Sequence, residues 1–79
     1  MLAEALEHLV RGIVQHPDDV VVRDKETRRG PLLEVRVNPE DLGKVIGRNG
    51  RTATALRTVI SAIGRGSTRV DFVDVDRRR

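Results

Sequence analysis

Apolar residues recur at three- and four-residue spacing at the start of the chain: Leu2, Leu6, Leu9, Val10, Ile13 and Val14. This period places them on one face of a helix covering the first fifteen residues. Glu4, Glu7 and Arg11 fall mostly on the other face, with Glu7 and Arg11 forming an acid-before-base pair one turn apart. Pro17 ends the helix, because the residue before a proline is pushed out of the helical region. Val20-Val21-Val22, after Asp18-Asp19, reads as a strand of β-branched residues. From Leu32 to Val37 the pattern changes to strict alternation. Leu33, Val35 and Val37 face a core, and Glu34 and Arg36 face water. Between the two strands, Lys25 to Pro31 is polar and closes on Gly30-Pro31, which predicts the turn of a β-hairpin.

Asn38-Pro39-Glu40-Asp41 is a helix start. Asn38 can cap, Pro39 suits the first helical position, and the two acids suit the positive end of the helix dipole. Leu42, Val45 and Ile46 form the apolar side of this short helix, and Gly47 interrupts it. A further helix begins after Gly50, with a buried stripe predicted from Ala53, Leu56, Val59, Ile60 and Ile63. Gly64 and Gly66 follow, where a left-handed C-cap is expected. Val70 to Val75 reads as the last strand, carrying Phe72, Val73 and Val75, and Arg77–Arg79 form a basic tail. The order helix, strand, strand, helix, helix, strand predicts an α+β fold of two layers, three helices on one face of three strands. The last strand must run parallel to one strand of the hairpin, so the sheet is expected to be mixed.

Seventy-nine residues hold one domain, expected at 1–76 with 77–79 as the tail. With 38% hydrophobic residues the chain can bury a modest core. Phe72 is its one aromatic residue, too little large side chain to enclose a deep ligand pocket. There is no cysteine, hence neither disulfide nor thiolate metal site, and two histidines, His8 and His16, are too few for zinc. His8 is expected on the surface and His16 in a turn. Asp18 and Asp19 are likewise read as turn residues, with no acid–base set around them. No stretch approaches the roughly 20 apolar residues of a membrane span. Met1-Leu2-Ala3-Glu4 carries an acid where a signal peptide needs bases. The expectation is a soluble cytoplasmic domain with no cofactor, and not an enzyme, since no nucleophile–base–orienter set is visible.

The segment richest in chemistry is Val45-Ile46-Gly47-Arg48-Asn49-Gly50-Arg51-Thr52, between two helices. A P-loop needs a glycine five residues before the glycine of its Gly-Lys-Ser/Thr triplet. Here Val45 occupies that position and Arg51 replaces the lysine. A dinucleotide fingerprint fails at the same valine and lacks a preceding strand. What remains is helix, Gly-x-x-Gly, helix. Two glycines let a phosphate backbone approach the main chain, and the next helix offers unpaired N–H groups at its positive end. Arg48 and Asn49 should point outward as donors, with Lys44 and Arg51 flanking them. Thr52 is open to two roles, bonding a phosphate or its own helix backbone. The alternative for the glycine pair is a plain interhelical turn, which would need neither Arg48 nor the flanking bases.

The element order and the V-I-G-x-x-G signature resemble a KH domain of the bacterial (type II) arrangement, α-β-β-α-α-β. The similarity extends to H-P-D-D-V at 16–20, N-P-E-D-L-G-K-V-I-G-R-N-G-R-T-A at 38–53 and A-L-R-T at 55–58, which resemble the KhpA family of small stand-alone KH proteins. The resemblance implies single-stranded RNA binding and an RNA-chaperone or post-transcriptional role. It also implies partnership with a larger KH protein, KhpB (Jag or EloR), and a link to cell shape through elongation and cell-wall regulation. By position the KH loop is Gly47-Arg48-Asn49-Gly50. Ile46 and the Val70–Phe72 strand would floor a groove for bases, and the variable loop would fall at Gly64 to Thr68.

The net charge of +3 conceals an asymmetry. Residues 1–41 hold six bases and nine acids, whereas residues 42–70 hold six bases (Lys44, Arg48, Arg51, Arg57, Arg65, Arg69) and no acid. The excess charge therefore lies around the glycine loop. Lys44, Arg48 and Arg51 are the phosphate candidates. Arg65 and Arg69 are expected to reach the far rim of a groove, and Arg57 is left to a partner or to no role. Two readings follow: an RNA-binding module, or a protein-interaction subunit whose KH face builds a homodimer or heterodimer with RNA binding secondary.

Overall fold

The computed structural model describes residues 2–64 and 68–74. Within them the chain forms α1 (Leu2–Arg11), β1 (Val21–Thr27), β2 (Gly30–Val37), α2 (Pro39–Ile46), α3 (Arg51–Ile63) and β3 (Arg69–Asp74). The α+β order is the expected one, and a single 3-10 turn at Pro17–Asp19 precedes β1. Val75, Arg65, the centre of the expected variable loop and the tail at 77–79 lie outside the described residues.

The sheet order is β1-β2-β3. β2 pairs antiparallel with β1 and parallel with β3, making the mixed sheet that the element order requires. Its inner face carries Leu33, Val35 and Val37 of β2 with Val70 and Phe72 of β3. Leu6 and Val10 of α1, Val45 of α2, and Ala53, Leu56 and Ile60 of α3 cover it. Each fully buried Leu, Val or Ile contributes about 1.5–3 kcal/mol through apolar surface removed from water, so the helices are held to one face by their stripes.

The structure departs from the sequence reading at several points, among them the C-cap Gly64, which is not left-handed (φ −94°, ψ 10°), and β2, which already begins at Gly30. The first helix stops at Arg11 instead of running through the first fifteen residues. Gly12, a poor helix former, follows Arg11, and the chain continues as turns in which the N–H groups of Ile13 and Val14 both reach the Val10 carbonyl. Ile13 and Val14 still pack on the core, so a turn satisfies the pattern that a longer helix was expected to satisfy. β1 runs on through Lys25-Glu26-Thr27, which the sequence assigned to the turn; only Arg28 and Arg29 separate the paired Thr27 and Gly30. β1 is an edge strand with most side chains exposed, so it carries little apolar alternation to betray its length. On α3, Val59 and Ile63 are 42% and 57% exposed and do not join the buried stripe. The core side of that helix is centred on Ala53, Leu56 and Ile60, leaving Val59 and Ile63 on its flank.

The expected cap of α2 forms, with Asn38 Oδ1 accepting the Glu40 N–H at 2.8 Å and Pro39 in the first turn. Asp41 has a role beyond the helix dipole. It is fully buried, and its carboxylate accepts the N–H groups of Gln15 at 3.1 Å and His16 at 2.9 Å. Asn38 Nδ2 donates to Asp19 at 2.9 Å, and His16 Nε2 lies 3.0 Å from Glu40 Oε1. These bonds tie the segment before β1 to the start of α2, and so anchor the helix that leads into the glycine loop.

Candidate nucleic-acid interface

The loop begins where α2 stops. The Gly47 N–H closes the last turn on the Gly43 carbonyl at 2.9 Å, and the backbone then turns at φ 78°, ψ 170°. That region is essentially restricted to glycine. Space imposes the same restriction, because a Cβ at Gly47 would lie 2.7 Å from both the backbone nitrogen and the Cβ of Thr52. Asn49 (φ 56°) and Gly50 (φ 74°) are left-handed as well. Asparagine is one of the few side-chain-bearing residues that adopt this conformation readily. Gly50 has open space where a Cβ would stand. One glycine thus lets the chain fold back on Thr52, and the other leaves room beside the main chain.

α3 starts directly after the loop. Its N-cap is Gly50, so no side chain caps it, and its first-turn N–H groups face the loop without a side-chain acceptor. Arg48, Asn49, Lys44 and Arg51 are exposed. Among the described residues, none of these four side chains forms a hydrogen bond or ion pair. Elsewhere Arg11 pairs with Glu7 at 2.8 Å, and Lys25 and Arg36 both reach Glu34 at 3.3 Å, while the side chains of Arg23, Arg28 and Arg29 in the hairpin are unpaired among the described residues as the loop cations are. The Arg51 N–H turns back to the Arg48 carbonyl, and cations without counter-ions beside the positive end of a helix that no side chain caps suit an oxyanion.

Ile46 is half-buried against the core, just before the loop. Thr52 is half-buried, and its hydroxyl makes no hydrogen bond among the described residues, whereas Thr58 Oγ1 donates to the Thr54 carbonyl at 2.9 Å. The structure therefore brings Lys44, Ile46, Gly47, Arg48, Asn49, Gly50, Arg51 and Thr52 into one continuous corner between α2 and α3.

Of the other cations of the acid-free stretch, the two among the described residues do not converge there. Arg69 directs its Nη2 to Thr27 Oγ1 at 3.0 Å, across the sheet at the hairpin end. Arg57, which the sequence left to a partner or to no role, lies over the Phe72 ring, its guanidinium carbon 5.3 Å from the centroid. Its Nε donates to the Val70 carbonyl at 3.3 Å. A cleft of about 480 Å³ opens beside it, between α3 and the first residues of β3, with Leu32 of β2 also on its wall. No sequence spacing signals an Arg57–Phe72 contact, since it depends on how α3 crosses the last strand.

On the sheet, burial pushes the Glu34 carboxyl up, but hydrogen bonds from Lys25 and Arg36, and their charges, outweigh this and hold it below the ordinary glutamate value. Among the described residues no group of three or more His, Cys, Asp or Glu side chains is placed to hold a metal ion. No helix among them is long and apolar enough to cross a membrane.

The sequence pattern of the family described as KhpA/KhpB, KH domain, matches residues 3–74 of the chain. The chain is 70% identical, over the full length of both, to the RNA-binding protein KhpA of Streptomyces coelicolor. It is 60% identical over 76 residues to the RNA-binding protein KhpA of Mycobacterium tuberculosis, covering 96% of this chain and 95% of the relative. The RNA-binding protein KhpA of Halalkalibacterium halodurans is 42% identical over 72 residues, covering 87% and 95%.

Proposed function

The chain belongs to the KhpA/KhpB KH-domain family, and we propose that it binds single-stranded RNA by clamping the sugar–phosphate backbone at Gly47-Arg48-Asn49-Gly50. The observation that carries this reading is the loop itself. Its backbone turns left-handed, the next helix lacks a side-chain cap, and Lys44, Arg48 and Arg51 lack partners among the described residues. The chemistry needs no reaction. Phosphate oxygens accept from the first-turn N–H groups of α3 and from Arg48 and Asn49, Lys44 and Arg51 add charge, and Thr52 is placed to donate its hydroxyl. Ile46 offers an apolar contact to a neighbouring base. These are positional interactions, so binding is sequence-tolerant, as suits an RNA chaperone or post-transcriptional regulator. On this reading the chain works in the cytoplasm with a larger KH protein of the KhpB kind, in cell elongation and cell-wall regulation; the match to the KhpA/KhpB family supports the KH partner.

The test is the salt dependence of binding to a short single-stranded RNA. Three phosphate contacts give a slope of log K against log salt of roughly −2, and removing Arg48 reduces it by about 0.7. A slope near zero would remove the backbone clamp from the account.

A second reading is favoured by a separate observation. Val59 and Ile63, on the far half of α3, are apolar and exposed. They suit a protein partner, either a second copy or another KH domain. Ile63 stands about 18 Å along the helix from Arg51 at 1.5 Å per residue, so such an interface leaves the loop open and RNA and partner need not compete. Sedimentation of the protein and of an Ile63→Glu variant, with and without RNA, tests this. Loss of a dimer with RNA binding retained is expected, and a dimer disrupted by RNA would contradict it.

A further inference from the structure

Phe72 is the chain's one aromatic residue. It is 8% exposed and lies beneath Arg57, so no aromatic face is offered to a base. We propose that Arg57 takes the place of that aromatic, its guanidinium plane serving as the stacking platform for one base of the RNA held at the glycine loop. The proposal rests on the RNA-binding reading above and adds to it a base-contacting residue outside the loop.

Arg57 is fixed in a way that suits a platform more than a phosphate donor. The guanidinium lies over the Phe72 ring, and its Nε is engaged by the Val70 carbonyl at the edge of the sheet. A planar cation held on a ring and tied to the main chain has already lost much of its rotamer freedom, and its open face is flat and weakly hydrated. Arginine planes serve as stacking surfaces for unpaired bases as aromatic rings do. Arg57 is an exposed residue, and that open side borders the cleft of about 480 Å³ between α3 and the first residues of β3.

The cleft also indicates which part of the RNA enters it. Besides Arg57 it is lined by Asp71, Arg69, the small polar residues Ser61 and Thr68, and the apolar Leu32 and Val70. A phosphate there would meet the Asp71 carboxylate as well as Arg69, whose Nη2 is already engaged by Thr27, whereas a base finds an acceptor for its amino group and hydroxyls for its edge. The distance is suitable. Arg57 lies six residues beyond Arg51, about 9 Å along the helix axis, within the span of a four-nucleotide KH clamp.

The experiment compares an adenine hexaribonucleotide with its fully abasic counterpart, binding each to the wild type, Arg57→Lys and the Arg48→Asp/Asn49→Asp double variant. Lysine keeps the charge and loses the plane. The wild type should prefer the adenine oligomer by about fivefold to tenfold, the lower part of the range for one stacked base. Arg57→Lys should lose most of that preference while binding the abasic strand as the wild type does, which also reports that the variant is folded. An unchanged preference in Arg57→Lys, or an equal loss on both strands, overturns the platform and leaves the clamp standing. A wild type that binds neither oligomer at low salt, with the double variant no different, overturns the clamp and the platform together.

Discussion

The two glycines of the loop should respond differently to the same substitution, because the structure asks different things of them. At Gly47 a side chain must adopt φ 78°, ψ 170°, a conformation that costs about 1–3 kcal/mol. Its Cβ must also enter a space where the nitrogen and Cβ of Thr52 stand 2.7 Å away. Overpacking of this kind adds about 1–3 kcal/mol. Gly47→Ala should therefore lose about 3 kcal/mol or more. At Gly50 the conformation is ordinary left-handed (φ 74°, ψ 15°) and nothing lies within 4 Å of a built Cβ. Gly50→Ala should cost about 1–2 kcal/mol from the backbone alone, and Gly50→Asn less still. In a domain of this size 1 kcal/mol moves the melting temperature by about 4–8 °C, so thermal unfolding resolves the difference. Gly50→Asn supplies the functional contrast: near-native stability with weakened RNA binding, because its side chain fills the space left beside the main chain. Equal melting losses for Gly47→Ala and Gly50→Ala would refute the reasoning from space.

Other consequences are open to measurement. Asp41→Ala leaves the buried N–H groups of Gln15 and His16 without their acceptor and should cost about 2–4 kcal/mol by urea unfolding. Asp41→Asn should fall between it and the wild type. Glu34 is depressed in the folded state, so its contribution is present above the unfolded glutamate value and is lost as pH falls through the lower folded value. The stability gap between wild type and Glu34→Gln should thus be present at neutral pH and close on acidification through the ordinary carboxylate range. An NMR titration of Glu34 should have its midpoint below that of the same glutamate in a short peptide.

Much of this was legible because local chemistry decides it. Asn38 and Pro39 start α2, the alternation of Leu33, Val35 and Val37 fixes the inner face of β2, and the Gly-Arg-Asn-Gly run places the loop between helices. The mixed sheet followed from element order, although the central position of β2 did not. What escaped the sequence depends on tertiary placement. Val59 and Ile63 share the helical period of the core residues, yet the position of α3 over the sheet leaves them at the flank. Asp41 looks like any acid in a first turn until the segment before β1 passes beneath it. Arg57 belonged to the same acid-free stretch as Arg48, and the crossing of α3 over β3 separates their roles.

The central claim is that the exposed middle of the loop holds RNA while adding nothing to the fold. Arg48 and Asn49 are exposed, their side chains make no hydrogen bond among the described residues, and aspartate tolerates the left-handed conformation at the second position. The direct test is RNA affinity and thermal melting of the Arg48→Asp/Asn49→Asp protein, measured side by side with the wild type. The account predicts that single-stranded RNA binding is abolished while the melt is almost unchanged. Binding retained at wild-type affinity in a folded double variant would contradict it.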